Sequence, residues 1–211
     1  MEVSGEDKGP FLVVIGREYG SGGRRIGKML ADALGVSYYD RSLLDKAASR
    51  LGYNPDIFAS KDERRPSFMR SILSFTYGAP TANISEAPMS PEKIYEYQSR
   101  VIKDICSKES CVIVGRTADY VMRDHPNVVS LFIHAPIEVR ARNIISRGET
   151  SDIEQATEIA NRRDRERESY YNYFTNRKSW GRANNYSLSF DSSRISDEAI
   201  LKSVRDILIR Q

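Results

Sequence analysis

Residues 16–25 read Gly-Arg-Glu-Tyr-Gly-Ser-Gly-Gly-Arg-Arg, with three glycines in four positions beside two arginines. Glycines at 20, 22 and 23 let successive backbone N–H groups turn toward one concave spot. If a helix begins just after them, its N-terminus adds partial positive charge there, and the natural occupant is a phosphate. A tight turn alone needs one or two glycines and no neighbouring cations. Set against G-x-x-x-x-G-K-[ST], with Gly22 as the second glycine, the loop has Gly23 where the lysine belongs and Arg24 in the Ser/Thr slot. Arg24 or Arg25 then supplies the charge, holding phosphate by a planar fork and not as a compact point charge. Loss of the Ser/Thr leaves Ser21 or Glu18 as candidate ligands for Mg²⁺.

A second chemical segment begins at Ser151-Asp-Ile-Glu154, which has the spacing of a capping box, and ends in Asn161-Arg-Arg-Asp-Arg-Glu-Arg167. At about 100° per residue, Ile153, Ala156, Ala160, Arg163 and Arg167 share one stripe. A face that begins apolar therefore continues as arginine, and inward-facing arginines need an anion. Asp164 lies near the stripe and can orient Arg167 from three positions away, whereas Arg162 and Arg165 point elsewhere. Alternating charge taken alone describes a solvated helix. Beside a phosphate loop it describes arginines closing over a transferred phosphoryl group, with Arg163 and Arg167 leading, Asp164 orienting and Arg24 contributing from the loop.

These residues need a scaffold, and the chain spells one out. Phe11–Ile15 is an uninterrupted apolar run ending at glycine, as a strand buried on both faces of a parallel sheet would be. Cys111–Val114 and Val128–Ile133 repeat the pattern, Val36–Tyr39 offers a shorter strand, and Tyr186, Leu188 and Phe190 alternate with polar residues. Helical spacing joins Ile26, Met29, Leu30, Ala33 and Leu34, and again Ile200, Leu201, Val204, Ile207 and Leu208. Strands alternating with helices imply an α/β domain around a parallel sheet of about five strands. From Gly52 to Pro91 five prolines interrupt a polar stretch, which reads as an insertion, with partial helical order over Phe68–Phe75 competing with disorder.

Composition narrows the class. The 211 residues are 40% apolar, enough for one domain with a buried core, and 32 basic against 29 acidic residues give a net charge of only +3. Basic residues are interleaved with acids, which argues against a nucleic-acid partner. Cys106 and Cys111 lack a second Cys/His pair at zinc spacing and read as reduced thiols. The polar first nine residues do not fit a signal peptide, and no apolar run reaches membrane-spanning length, so a soluble cytoplasmic protein is expected.

Arg17-Glu-Tyr-Gly-Ser-Gly-Gly-Arg24, Tyr39-Asp40, Gly115-Arg116 and Arg163-Asp164-Arg165 with Tyr170-Tyr171 together resemble the cytidylate kinase-like proteins, over roughly Leu12 to Leu208. The resemblance implies a three-layer P-loop kinase fold with helices on both faces of the sheet. Its core would span 10–51, 99–147 and 181–211, with an acceptor-binding insertion at about 52–98 and an arginine-bearing lid at about 148–180. It implies ATP with Mg²⁺ as donor and a nucleoside monophosphate, CMP or dCMP, as acceptor. Acceptor contacts would fall on Asp40, Arg41, Lys46 and Arg116. Gly115-Arg116-Thr117 resembles a Gly-Arg-Asp motif whose aspartate is missing, and two lid registers stay open around Asp164–Arg167. Tyr170, Tyr171, Tyr173 and Trp180 would pack under the lid or stack on a base. Another small acceptor, or a non-catalytic nucleotide-sensing role prompted by the missing lysine, is the rival reading. The oligomeric state is not encoded in any of these patterns.

Overall fold

A computed structural model of the chain describes residues 9–40, 91–177 and 179–210. Five strands, β1 (Leu12–Arg17), β2 (Ser37–Tyr39), β3 (Cys111–Val114), β4 (Val128–His134) and β5 (Leu188–Asp191), form one sheet in the order β2-β3-β1-β4-β5. Every neighbouring pair is parallel, with Leu12 opposite both Cys111 and Val128. The three uninterrupted apolar runs occupy the middle of the sheet, where both faces are covered and alternation would bury polar side chains.

Alternate residues of β1 feed two cores. Leu12 and Val14 pack with Val101, Ile102 and Ile105 of α2 (Pro91–Cys106) and with Ala118 of α3 (Ala118–Val121). Val13 and Ile15 pack with Ile26 and Leu30 of α1 (Gly23–Leu34) and with Ile200 and Val204 of α6 (Asp197–Arg210). Helices thus cover both faces, which is the three-layer arrangement expected. A third, smaller core joins Ala141 and Ile144 of α4 (Ile137–Ser146) to Ala156 and Ala160 of α5 (Ile153–Thr175).

The helix after the glycine loop starts at Gly23, three residues before Ile26. Gly22, its N-cap, has φ 81° and offers no side-chain cap, and no acidic residue stands in the first turn. The first turn of α1 therefore has neither a side-chain cap nor an acidic residue to meet its amides. Gly27 lets α1 lie directly on β3, since a Cβ there would stand 2.6 Å from a methyl of Val114.

Three expectations are corrected. Helix α5 is capped by Asp152 and not by Ser151: the Asp152 carboxylate accepts the Gln155 N–H at 2.8 Å. Ile153, placed on the inward stripe, is half exposed, because α5 meets α4 only from Ala156 onward. Strand β5 begins at Leu188, because Tyr186 is buried against Phe132 with ring centroids 5.1 Å apart. The continuous helix α2 crosses the boundary drawn at residue 98. Arg41, Lys46 and the insertion through residue 90, including Phe68–Phe75, lie outside the described residues. Among the described residues no helix is long and apolar enough to cross a membrane.

Candidate active site

The glycine loop lies at the carboxyl end of β1, flanked by the ends of β3 and β4. In an open α/β sheet that crevice is where ligands bind. Its backbone is anchored to β4 and to the residue after β5: Glu18 N–H donates to the Ile133 carbonyl at 3.0 Å, and the Ser192 hydroxyl donates to the Ser21 carbonyl at 2.7 Å. Gly20 has φ +83°, and a Cβ there would stand 2.6 Å from the Arg140 carbonyl oxygen, so the loop lies directly on α4. Asn143 of the same helix donates its side-chain N–H to the Gly20 carbonyl at 2.8 Å.

A buried latch ties this loop to the arginine helix. One oxygen of Asp164 accepts the Tyr19 backbone N–H at 2.7 Å and Arg167 Nη1 at 3.3 Å, while the other accepts Arg140 Nη1 at 2.6 Å. Arg140 also donates from Nε to the Ala135 carbonyl and pairs with Glu18 at 3.3 Å. Glu18 in turn accepts the Ala135 N–H at 3.1 Å. Burial pushes the Asp164 carboxyl above its ordinary value against the pull of Arg167, the Tyr19 amide and Arg140. The Tyr19 ring lies beneath the Arg167 guanidinium, 5.0 Å from its centroid.

Beyond the latch, guanidiniums gather. Arg167 is 9% exposed and donates to the Arg17 carbonyl at 3.2 Å, but its Nε is buried with no partner. Arg17, the last residue of β1, likewise has a buried Nε without a partner. Among the groups that act most strongly on the Arg17 guanidinium are those of Arg167, Arg24 and Arg116, with the Tyr38 hydroxyl beside them. Burial, then these like charges, push the Arg17 guanidinium well below its ordinary value, and burial lowers Arg167 to about 10. Arginines keep their charge in proteins, so a cluster like this is relieved by an anion.

Arg116 enters from β3 through three consecutive residues in the left-handed region, Gly115 (φ 87°), Arg116 (φ 60°) and Thr117 (φ 52°). Two non-glycine residues held there cost about 1–3 kcal/mol each, so the fold sustains strain to aim Arg116 inward. Its guanidinium, 8% exposed, donates to the Gln98 side-chain oxygen at 3.3 Å, and the Tyr170 hydroxyl donates to the same oxygen at 3.2 Å.

The candidates named from the sequence thus separate. Gly20, Gly22 and Gly23, Arg24, Arg116, Asp164 and Arg167 come together around the loop. Arg24 is exposed at its mouth. Arg25 turns away and grips Asp197 of α6 through Nη1 and Nη2. Arg163 is 40% exposed and pairs with Glu166 at 3.2 Å. Asp40 directly follows β2, within electrostatic reach of Tyr38. Ser21 is buried, with its hydroxyl directed at the carbonyls of Glu18 and Ile133, and Glu18 is held by Arg140 and Ala135. These two therefore fit a protein-held Mg²⁺ poorly. No group of three metal-ligating residues is found among the described residues.

Arg140, Arg17, Gln98 and Asp119 were not singled out from the sequence. Arg17 carried a signal, since it ends a buried strand at the sheet's carboxyl edge; the others carried none locally. Burial raises Asp119 to about 6, opposed by a hydrogen bond with Tyr171. Tyr170 and Tyr171 are buried, and Trp180 packs edge-on against Phe132, so these three rings serve packing.

Comparison with known proteins decides the family: the profile of the cytidylate kinase-like family matches residues 12–194. The chain belongs to this family. Among solved structures, an uncharacterized protein from Eubacterium ventriosum ATCC 27560 superposes with a TM-score of 0.69 at 22% identity, covering 95% of this chain and 99% of that one. TT1252 from Thermus thermophilus gives 0.53 at 16% identity, covering 95% and 98%. A shikimate kinase from Bacteroides thetaiotaomicron gives 0.50 at 12% identity, covering 95% and 99%. At these identities the likeness is one of fold, and that fold is the P-loop kinase fold. No curated protein matches the chain.

Proposed function

We propose that this cytidylate kinase-like chain transfers a phosphoryl group from ATP to a nucleoside monophosphate, with CMP and dCMP the first acceptors to test. The observation that carries the reading is the convergence of Arg17, Arg24, Arg116 and Arg167 on the glycine loop, with two buried guanidinium nitrogens left unpartnered. Phosphoryl transfer needs little beyond positioning and charge neutralisation, and this arrangement offers both.

In this reading the amides of residues 20–25 cradle the donor phosphates. Arg116, at the carboxyl end of β3, meets the acceptor phosphate, with Asp40, Arg41 and Lys46 on the acceptor side. Arg167 neutralises the group in transit, Arg163 swings in from the surface, and Asp164 positions Arg167 against the loop. A divalent cation would arrive on the nucleotide's own phosphates, because Ser21 and Glu18 are engaged elsewhere.

The test is ATP consumption with Mg²⁺ across a panel of nucleoside and deoxynucleoside monophosphates, with products separated chromatographically, for wild type, Arg116→Ala and Arg167→Ala. A diphosphate formed from one acceptor and lost in both variants supports the reading and names the acceptor. Saturable ATP binding with no turnover favours the sensing role, which the missing lysine and the engaged metal candidates recommend as the second reading.

A further inference from the structure

The lysine of a G-x-x-x-x-G-K-[ST] loop follows its last glycine, and its first position is a glycine. Here both are reversed: position 17, the loop's first, is arginine, and position 23, the lysine's, is glycine. The structure links the two changes. A Cβ at position 23 would stand 2.7 Å from Arg17 Cβ and 2.9 Å from Arg17 Cγ, so the arginine stem fills the space from which any side chain at 23 must start. At the other end of the same side chain, a Cβ at Gly115 would stand 2.2 Å from Arg17 Nη1. Gly115 also has φ +87°, which disfavours any other residue. One glycine admits the stem and the other admits the head.

We propose that Arg17 is the catalytic cation of the phosphate site: the charge of the absent lysine has moved from the last position of the loop to the first, and Gly23 and Gly115 are glycines because Arg17 passes between them. This rests on the reading of the loop as a phosphate site. The Arg17 head lies within electrostatic reach of both Arg24, on the glycine loop, and Arg116, just beyond β3. Its planar fork can therefore hold oxygens on either side of the group being transferred, a bridging geometry that a lysine point charge lacks. Its buried, unpartnered Nε is what such a role leaves in the unliganded protein.

Inorganic tripolyphosphate is the probe, since its binding is read by calorimetry and by thermal shift without turnover. The full chain is compared with Arg17→Ala, with Arg17→Gln, which keeps the stem without the charge, with Gly23→Lys, and with the exchange Arg17→Gly/Gly23→Lys. Losing one charge-assisted donor weakens tripolyphosphate about 10- to 100-fold in Arg17→Ala and Arg17→Gln. In the acceptor assay it lowers kcat about 10²- to 10³-fold. The unliganded Arg17→Gln protein melts higher than wild type, because it removes a buried charge whose Nε has no partner and which has Arg167 and Arg24 beside it; a purely structural arginine would make it melt lower. Gly23→Lys alone, blocked by the Arg17 stem, loses stability and gains no affinity. The exchange recovers at least tenfold of the affinity lost in Arg17→Ala. Wild type that binds no tripolyphosphate overturns both this proposal and the phosphate-site reading. Tripolyphosphate binding or turnover that Arg17→Ala and Arg17→Gln leave within twofold of wild type overturns this proposal alone.

Discussion

Asp164 was expected to act in catalysis, and its surroundings make a sharper demand: its removal must cost stability whether or not any substrate binds. Its two oxygens take three donors, the Tyr19 amide, Arg140 and Arg167, and both arginines are 9% exposed at the side chain. Truncation to alanine leaves two buried cations without their shared partner. Removing one member of a buried ion pair costs about 3–5 kcal/mol, and the orphaned Tyr19 N–H adds about 1 kcal/mol or more. These costs overlap, so Asp164→Ala should lose about 4 kcal/mol, a large share of the 5–15 kcal/mol roughly typical of a domain. Asp164→Asn keeps an acceptor for the Tyr19 amide and loses only the charge, so its cost should be about half of that. Urea unfolding of the unliganded protein at neutral pH measures both, through a lower midpoint at unchanged slope. In the double variant Arg140→Ala/Asp164→Ala the losses should fall short of additive by about 1–3 kcal/mol, because the two truncations remove the two ends of the same ion pair. An Asp164→Ala loss below about 1 kcal/mol, or additive losses in the double variant, would refute the latch and leave Asp164 a residue that matters only to substrate.

Two further expectations follow from the same site. Gly20→Ala forces a Cβ to within 2.6 Å of the Arg140 carbonyl at a φ of +83°; it should cost about 4 kcal/mol, and a change in melting temperature under about 5 °C would contradict the packing of the loop on α4. Asp119, raised by burial to about 6, holds its proton in the folded state between about pH 4 and pH 6, where the unfolded chain has already released it. Its contribution to stability therefore falls as pH rises through that window. Asp119→Asn should be more stable than wild type by about 1–2 kcal/mol at pH 7, allowing for its partial exposure, and should converge with wild type toward pH 4. Parallel stability curves for the two proteins from pH 4 to pH 8 would count against the assignment.

Much of this protein is written in short stretches of sequence. The runs at Leu12, Cys111 and Val128 dictated central parallel strands because an unbroken apolar segment has no solvent-facing side to offer. The spacing of Ile26, Leu30, Ile200 and Val204 dictated helices with one buried stripe. Glycines 20, 22 and 23 after a buried strand raised the expectation of an anion loop, and Gly20 and Gly22 do hold the positive φ that turns the backbone there, whereas Gly23 does not. Each of these inferences uses residues within one or two turns of one another. What the tertiary structure alone decided is how charges separated by most of the chain are shared. Asp164 is the anchor of residue 19 as well as the orienting partner of Arg167. Arg25 belongs to Asp197 and not to the glycine loop's mouth, and Arg140, unremarkable in its helix, binds three segments at once. Arg17 became legible only with Gly23 at its stem and Gly115 at its head, because the space a side chain may enter is set by the strands beside it and not by its neighbours in sequence.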